Sequence, residues 1–154
     1  MPRVDLLALL SLHRHFLAAD AVKQFVSADL PVAAKTQHSP QNILDLGQFW
    51  SSVLRLQVFY ALMYVVIEGY RELGCEDPEV DALLSNSDFV EAFRRFRNAN
   101  FHFQEDPFSA KLVEFLDAEG SERWTHDLYV ALKAFFEKQL PIAEFVESLA
   151  KRSS

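Results

Sequence analysis

The chain has 154 residues, half of them apolar and 24% charged, with four glycines and six prolines. That balance predicts one compact domain over residues 1–154 and excludes disordered, collagen-like and low-complexity classes. Fifteen lysines and arginines against twenty-two aspartates and glutamates give a net charge of −7, which opposes non-specific adhesion to nucleic acid or anionic membrane, so any basic site has to be local. Cys75 is the one cysteine; no intrachain disulfide and no cysteine-based zinc site can form within the chain, and a reducing, cytoplasmic setting is expected.

The opening Met1-Pro2-Arg3, followed by Leu6-Leu7-Ala8-Leu9-Leu10, mimics a short signal peptide. His13-Arg14-His15 interrupts it, so a plain amphipathic helix is expected. Apolar residues recur at spacings of three and four and no segment alternates with period two, which predicts an all-α chain. The first helix is expected from about Val4 to Asp29, stopped by Pro31, with a polar connector from Pro31 to Pro40. A second helix should run from Gln41 to Leu73, its core stripe being Phe49, Val53, Leu56, Tyr60, Tyr64 and Ile67, with Gly74 in a left-handed conformation after its end. Within it the most apolar stretch, Val58 to Ile67, is ten residues long against the roughly twenty of a membrane span, so no membrane helix is expected.

Asp77-Pro78 places a capping carboxylate before a proline and predicts a short helical turn through Leu84. Ser87 or Asn86 then caps a third main helix whose Phe89, Phe93 and Phe96 face the core, and the pattern frays at His102. Asp106-Pro107 repeats the cap signal for a helix to about Ala118; Gly120 closes it, Ser121 opens a long final helix, and Pro141 should bend or interrupt that helix. The expected architecture is an antiparallel bundle of four to five helices.

Familiar catalytic signatures fail. Gly69 and Gly74 have the glycine spacing of a phosphate loop, but Cys75-Glu76 stands where a lysine and a hydroxyl residue are needed. No dinucleotide fingerprint or nucleophile elbow is present. Glu122 and His126 have the wrong spacing for a ferritin-like metal pair, and His13 and His15 lie on different helix faces, so no metal or cofactor is expected.

The segment Arg94-Arg95-Phe96-Arg97-Asn98-Ala99-Asn100-Phe101-His102-Phe103-Gln104 differs from the rest: it carries three positive charges and no negative one. Arg, Asn and His alternate there with Phe where a helix runs out, leaving polar tips accessible while rings anchor the backbone. Arg97-Asn98 followed by His102 resembles the Arg-x(4–6)-His motif of HEPN domains (higher eukaryotes and prokaryotes nucleotide-binding), in which a polar residue, often Asn, follows the arginine. Arg95 also satisfies the spacing to His102; Arg97 is preferred because Asn98 comes next.

The resemblance implies an all-helical HEPN-like fold and metal-independent RNA cleavage, with two copies of the motif meeting across a homodimer and, in toxin-like members, a separate antitoxin chain. On that reading Arg97, Asn98 and His102 form the catalytic set, and Arg94, Arg95, Phe101 and Phe103 contact RNA. His102 suits proton transfer at the ribose 2′-hydroxyl or the 5′-oxygen, and Arg97 suits a bidentate grip on the scissile phosphate. On an unbroken helix Arg97 and His102 would stand about 140° apart, so convergence requires a helix break near Asn100 or a second subunit. The opposing reading is structural: Arg97 as a C-terminal helix cation, His102 as a cap paired with Glu105 or Asp106, and Phe101 and Phe103 as ordinary core rings. It belongs with a non-catalytic helical dimerisation or interaction module.

Overall fold

A computed structural model describes residues 5–29, 43–103, 105–106 and 110–142. They form α1 (Leu6–Asp29), α2 (Ile43–Glu72), α3 (Pro78–Leu84), α4 (Ser87–Phe101), α5 (Ala110–Asp117) and α6 (Ser121–Gln139), with no strand among the described residues. The all-α bundle is therefore as expected, with α3 and α5 as short additions to four main helices. The Pro31–Pro40 connector, Pro107 and the side chain of Phe49 lie outside the described residues.

Local chemistry sets the boundaries. Gly74 at φ 61°, just after α2, and Gly120 at φ 83°, the N-cap of α6, take the left-handed conformation that side chains resist. Asp77 is extended and accepts the Glu79 and Val80 amides at 3.0 and 3.3 Å, capping α3 before Pro78. Asn86, rather than Ser87, caps α4, accepting the Phe89 amide at 3.2 Å. The last long helix stops at Gln139 because Pro141 pushes Leu140 into extended backbone.

α1 packs along α2, which in turn supports α4; α5 bridges α4 and α6, and α3 lies on α6. α1 crosses α2 where Gly69 has no side chain to hold Leu12 away. α1 runs antiparallel to α6, with His13 beside Phe136 and Phe16 beside Tyr129. α2 and α6 run the same way, since Phe59 meets Tyr129 and Tyr70 meets Phe135. The α2 stripe turns inward as expected at Tyr60, Tyr64 and Ile67, while Val53 and Leu56 are half-buried. Those tyrosines meet Phe93, Phe96 and Phe115 edge to face; Trp124 joins the cluster through Phe93, which stacks on Phe115 with centroids 4.6 Å apart. Phe89 sits half-buried at its margin against Trp124. α3 is clamped to α2 by Tyr70, whose hydroxyl donates to Asp81 at 2.9 Å, and by Arg71, which donates to the Leu84 carbonyl at 3.3 Å.

The ten-residue count of the sequence reading is corrected: Trp50–Glu72, 23 residues of α2, contains an 18-residue window of mean hydropathy 1.5, long and apolar enough to cross a membrane by length and composition. The ten-residue count stopped at Glu68, but a single charge does not end an apolar helix. One side of it is core, with Phe59, Met63, Val66 and Ile67 buried against the neighbouring helices, while Leu54 and Val58 are exposed.

Candidate functional site

The motif occupies the last turns of α4 and the chain leaving it. Arg97 sits one turn before the helix end, and its guanidinium turns toward α2. Nη2 donates to Glu68 Oε2 at 2.7 Å, Nη1 donates to Asn98 Oδ1 at 2.8 Å, and the guanidinium carbon lies 6.0 Å from the Tyr64 ring centroid. Its Nε–H is buried with no acceptor among the described residues, an arrangement that ordinarily costs about 1–3 kcal/mol.

Asn98 joins the two ends of the motif. Its side chain holds Arg97, while its carbonyl accepts the His102 amide at 3.1 Å and closes the final turn. His102 is the C-cap residue, at φ −116° and ψ 141°, so the chain stays helical from Arg97 through Phe101 and leaves the helix only at His102. The break falls at His102, two residues beyond Asn100, whose side-chain amide instead donates back to the Phe96 carbonyl at 3.0 Å. The imidazole of His102 is exposed.

The rings on either side correct an expectation. Phe101 is 55% exposed and Phe103 91%, so neither is a core ring. Phe101, the last residue of α4, stands about 140° around the helix from Phe96 and so off its core-facing side, and Phe103 lies beyond the helix end.

The basic island is paired rather than open. Arg94 makes a bidentate contact with Glu91 at 2.9 and 2.7 Å, and that contact holds the Glu91 carboxyl below its usual range. Arg95 reaches Glu114 of α5 at 3.2 and 2.6 Å, with a second approach to Glu91 at 3.5 Å. With Glu68 on Arg97, each of the three motif arginines faces a carboxylate. Gln104 lies outside the described residues. Trp124 belongs to the core, its indole N–H donating to the Leu83 carbonyl at 3.1 Å, and His126 is exposed beside Asp127.

Sequence reasoning missed Glu68 and Tyr64 as partners of the motif. The signal was available in retrospect: both lie on α2 at a spacing of four, Tyr64 on the stripe and Glu68 one turn along at its edge. Among the described residues no group of three or more His, Cys, Asp or Glu stands close enough to hold a metal ion. Comparison with known family models, with curated proteins and with solved structures gives no match.

Proposed function

We propose that the chain is a HEPN-like endoribonuclease that cleaves RNA without a metal, using Arg97, Asn98 and His102 from two copies of the chain. The observation that carries the reading is Asn98, which accepts from Arg97 through its side chain and from the His102 amide through its carbonyl; because α4 stays helical through Phe101, the angular separation of about 140° persists within one copy and the second copy has to complete the site. In the reaction the His102 imidazole of one copy takes the ribose 2′-hydroxyl proton as that oxygen attacks phosphorus. The P–O5′ bond breaks, and the imidazolium of the other copy protonates the leaving oxygen, giving a 2′,3′-cyclic phosphate and a 5′-hydroxyl. Arg97 stabilises the charge gathering on the phosphoryl oxygens. Phe101 and Phe103 offer exposed faces on which bases can stack.

A second reading, a non-catalytic dimerisation or interaction module, is favoured by one observation: Glu68, Glu91 and Glu114 neutralise the arginines on which RNA binding would depend. One experiment separates the two. Purified protein incubated with structured RNA in excess chelator is expected to release fragments with cyclic-phosphate ends, and His102→Ala or Arg97→Ala to slow this by about 100-fold or more with unchanged circular dichroism. No cleavage by the wild type, or equal cleavage by the folded variants, supports the interaction module; cleavage abolished by the chelator contradicts the role given to His102.

A further inference from the structure

Arg97 is held differently from the two arginines before it. Arg94 grips Glu91 across its Nε–Nη2 edge at 2.9 and 2.7 Å, and Arg95 grips Glu114 across the same edge at 3.2 and 2.6 Å. Those are the two-pronged contacts that a planar guanidinium favours. Arg97 gives Glu68 only Nη2, at 2.7 Å, and its buried Nε–H has no acceptor among the described residues. Its other anchor is neutral, Nη1 donating to Asn98 Oδ1 at 2.8 Å. The edge that its neighbours fill with a carboxylate is therefore half filled in Arg97, and the orphaned donor is a cost that a two-pronged anion removes.

Glu68 is able to give way. Its side chain is 42% exposed against 28% for Arg97, so the carboxylate has water to turn into, and ion pairs with that access to solvent hold by only about 1 kcal/mol or less. Release from Glu68 also frees the guanidinium to turn its Nε–Nη2 edge outward. A phosphodiester has two non-bridging oxygens that span this edge as a carboxylate does. It replaces one hydrogen bond with two and satisfies the Nε–H.

We propose that Glu68 sets the affinity of the Arg97 site for RNA: it occupies Nη2 until a phosphodiester displaces it, takes over Nη2 and engages Nε. This role rests on the reading of Arg97 as the phosphate-binding arginine of a ribonuclease. Glu68 is then a competitor of the substrate rather than a support for Arg97, and the two functions predict effects of opposite sign. The displaced carboxylate gathers cations from solution, which offsets the counterions released from the RNA, so Glu68 also flattens the salt dependence of binding.

The test is binding of a fluorescein-labelled single-stranded RNA oligonucleotide, followed by anisotropy over a series of salt concentrations in the His102→Ala background, where the RNA stays intact. Glu68→Gln keeps an acceptor beside Arg97 but removes the competing charge, and is expected to bind about fivefold tighter, with a log–log salt slope steeper by about 0.7. Glu68→Asp, one methylene shorter, should gain less and takes its place if the amide variant does not fold by circular dichroism. Glu137→Gln removes an equal charge on α6, where Glu137 is more than half exposed beside Lys133, and should leave binding unchanged. With His102 restored, Glu68→Gln should lower KM for RNA cleavage and leave kcat as it is, because the competitor is removed from ground and transition states alike; a Glu68 that only props Arg97 would give weaker binding and a lower kcat. Unchanged or weaker RNA binding by the folded Glu68 variant, or an equal gain from Glu137→Gln, overturns the proposal. Tighter binding by Glu68→Gln without cleavage by the wild type defeats the ribonuclease reading and leaves the role of Glu68 standing. Cleavage by the wild type with no gain in Glu68→Gln does the reverse, and no RNA binding by either protein defeats both.

Discussion

All four tyrosines carry hydroxyls whose ionisation the fold opposes. Burial raises Tyr60 to about 12, helped by the Glu122 charge, and raises Tyr129 to about 12, helped by its hydrogen bond to Asp20; Tyr64 and Tyr70 move in the same direction, burial again being the largest cause. In the unfolded chain each titrates near 10, so between pH 10 and 12 the unfolded state loses protons that the folded state keeps. Stability from this source is full below pH 10 and falls as pH rises toward 12. For Tyr60, 5% exposed, the loss is on the order of 2 kcal/mol across that window. Urea melts at half-unit steps from pH 9 to 12 should show the midpoint falling steadily, and Tyr60→Phe should have a shallower slope than the wild type; parallel slopes would contradict the burial argument. At Arg97 the same scale of reasoning explains why the residue was easy to find and hard to interpret. Its position beside Asn98 is visible in the sequence, but Glu68, which holds it, lies 29 positions earlier.

At the scale of elements the boundaries were the most legible part of the chain, because they are chosen by single residues acting locally. Asp77-Pro78, Gly74, Gly120 and Pro141 each act through their own backbone conformation or one hydrogen bond, and each stands where the sequence places it. The α4 cap belongs to this class. Asn86 accepts the Phe89 amide, so Asn86→Ala should lower stability by about 1 kcal/mol, read as a shift in denaturant midpoint without a change in slope, while Asn86→Asp or Asn86→Ser should recover most of it. Side-chain partnership across elements was not legible. The basic island looked unopposed because charge was counted along the chain, whereas Glu114 reaches Arg95 from α5, 19 positions later. The hydrogen bond from Tyr129 to Asp20 escaped the sequence for the same reason, since the two are 109 positions apart. Phe101 and Phe103 stood open in the sequence between RNA contacts and core rings, because the periodic set of α4 runs only through Phe89, Phe93 and Phe96 and fixes neither the last residue of the helix nor the chain beyond it.

For the whole molecule the question is what the exposed end of α4 meets. A cleavage that needs both a base and an acid is poorly served by one imidazole, and an isologous contact supplies the second by symmetry. Phe101 and Phe103 stand on both sides of His102 with most of their surface in water. Two such rings, one 55% and one 91% exposed, supply on the order of 300 Å² of the roughly 800 Å² each partner buries in a standard interface. The remainder has to come from polar surface around the end of α4, which makes the association sensitive to salt as well as to the rings. The proposed dimer therefore predicts a sedimentation mass near twice 17.7 kDa at micromolar concentration. Phe101→Glu with Phe103→Glu should return it to a monomer with unchanged helical content, because neither ring belongs to the core. RNA cleavage should fall with dimerisation in that variant, and adding His102→Ala protein to the wild type should lower activity by more than dilution, since a mixed dimer holds one imidazole, only if the site is shared between copies. A wild-type monomer at tens of micromolar, or a dimer holding its two His102 side chains more than about 20 Å apart, beyond reach of one phosphodiester, would defeat the composite site.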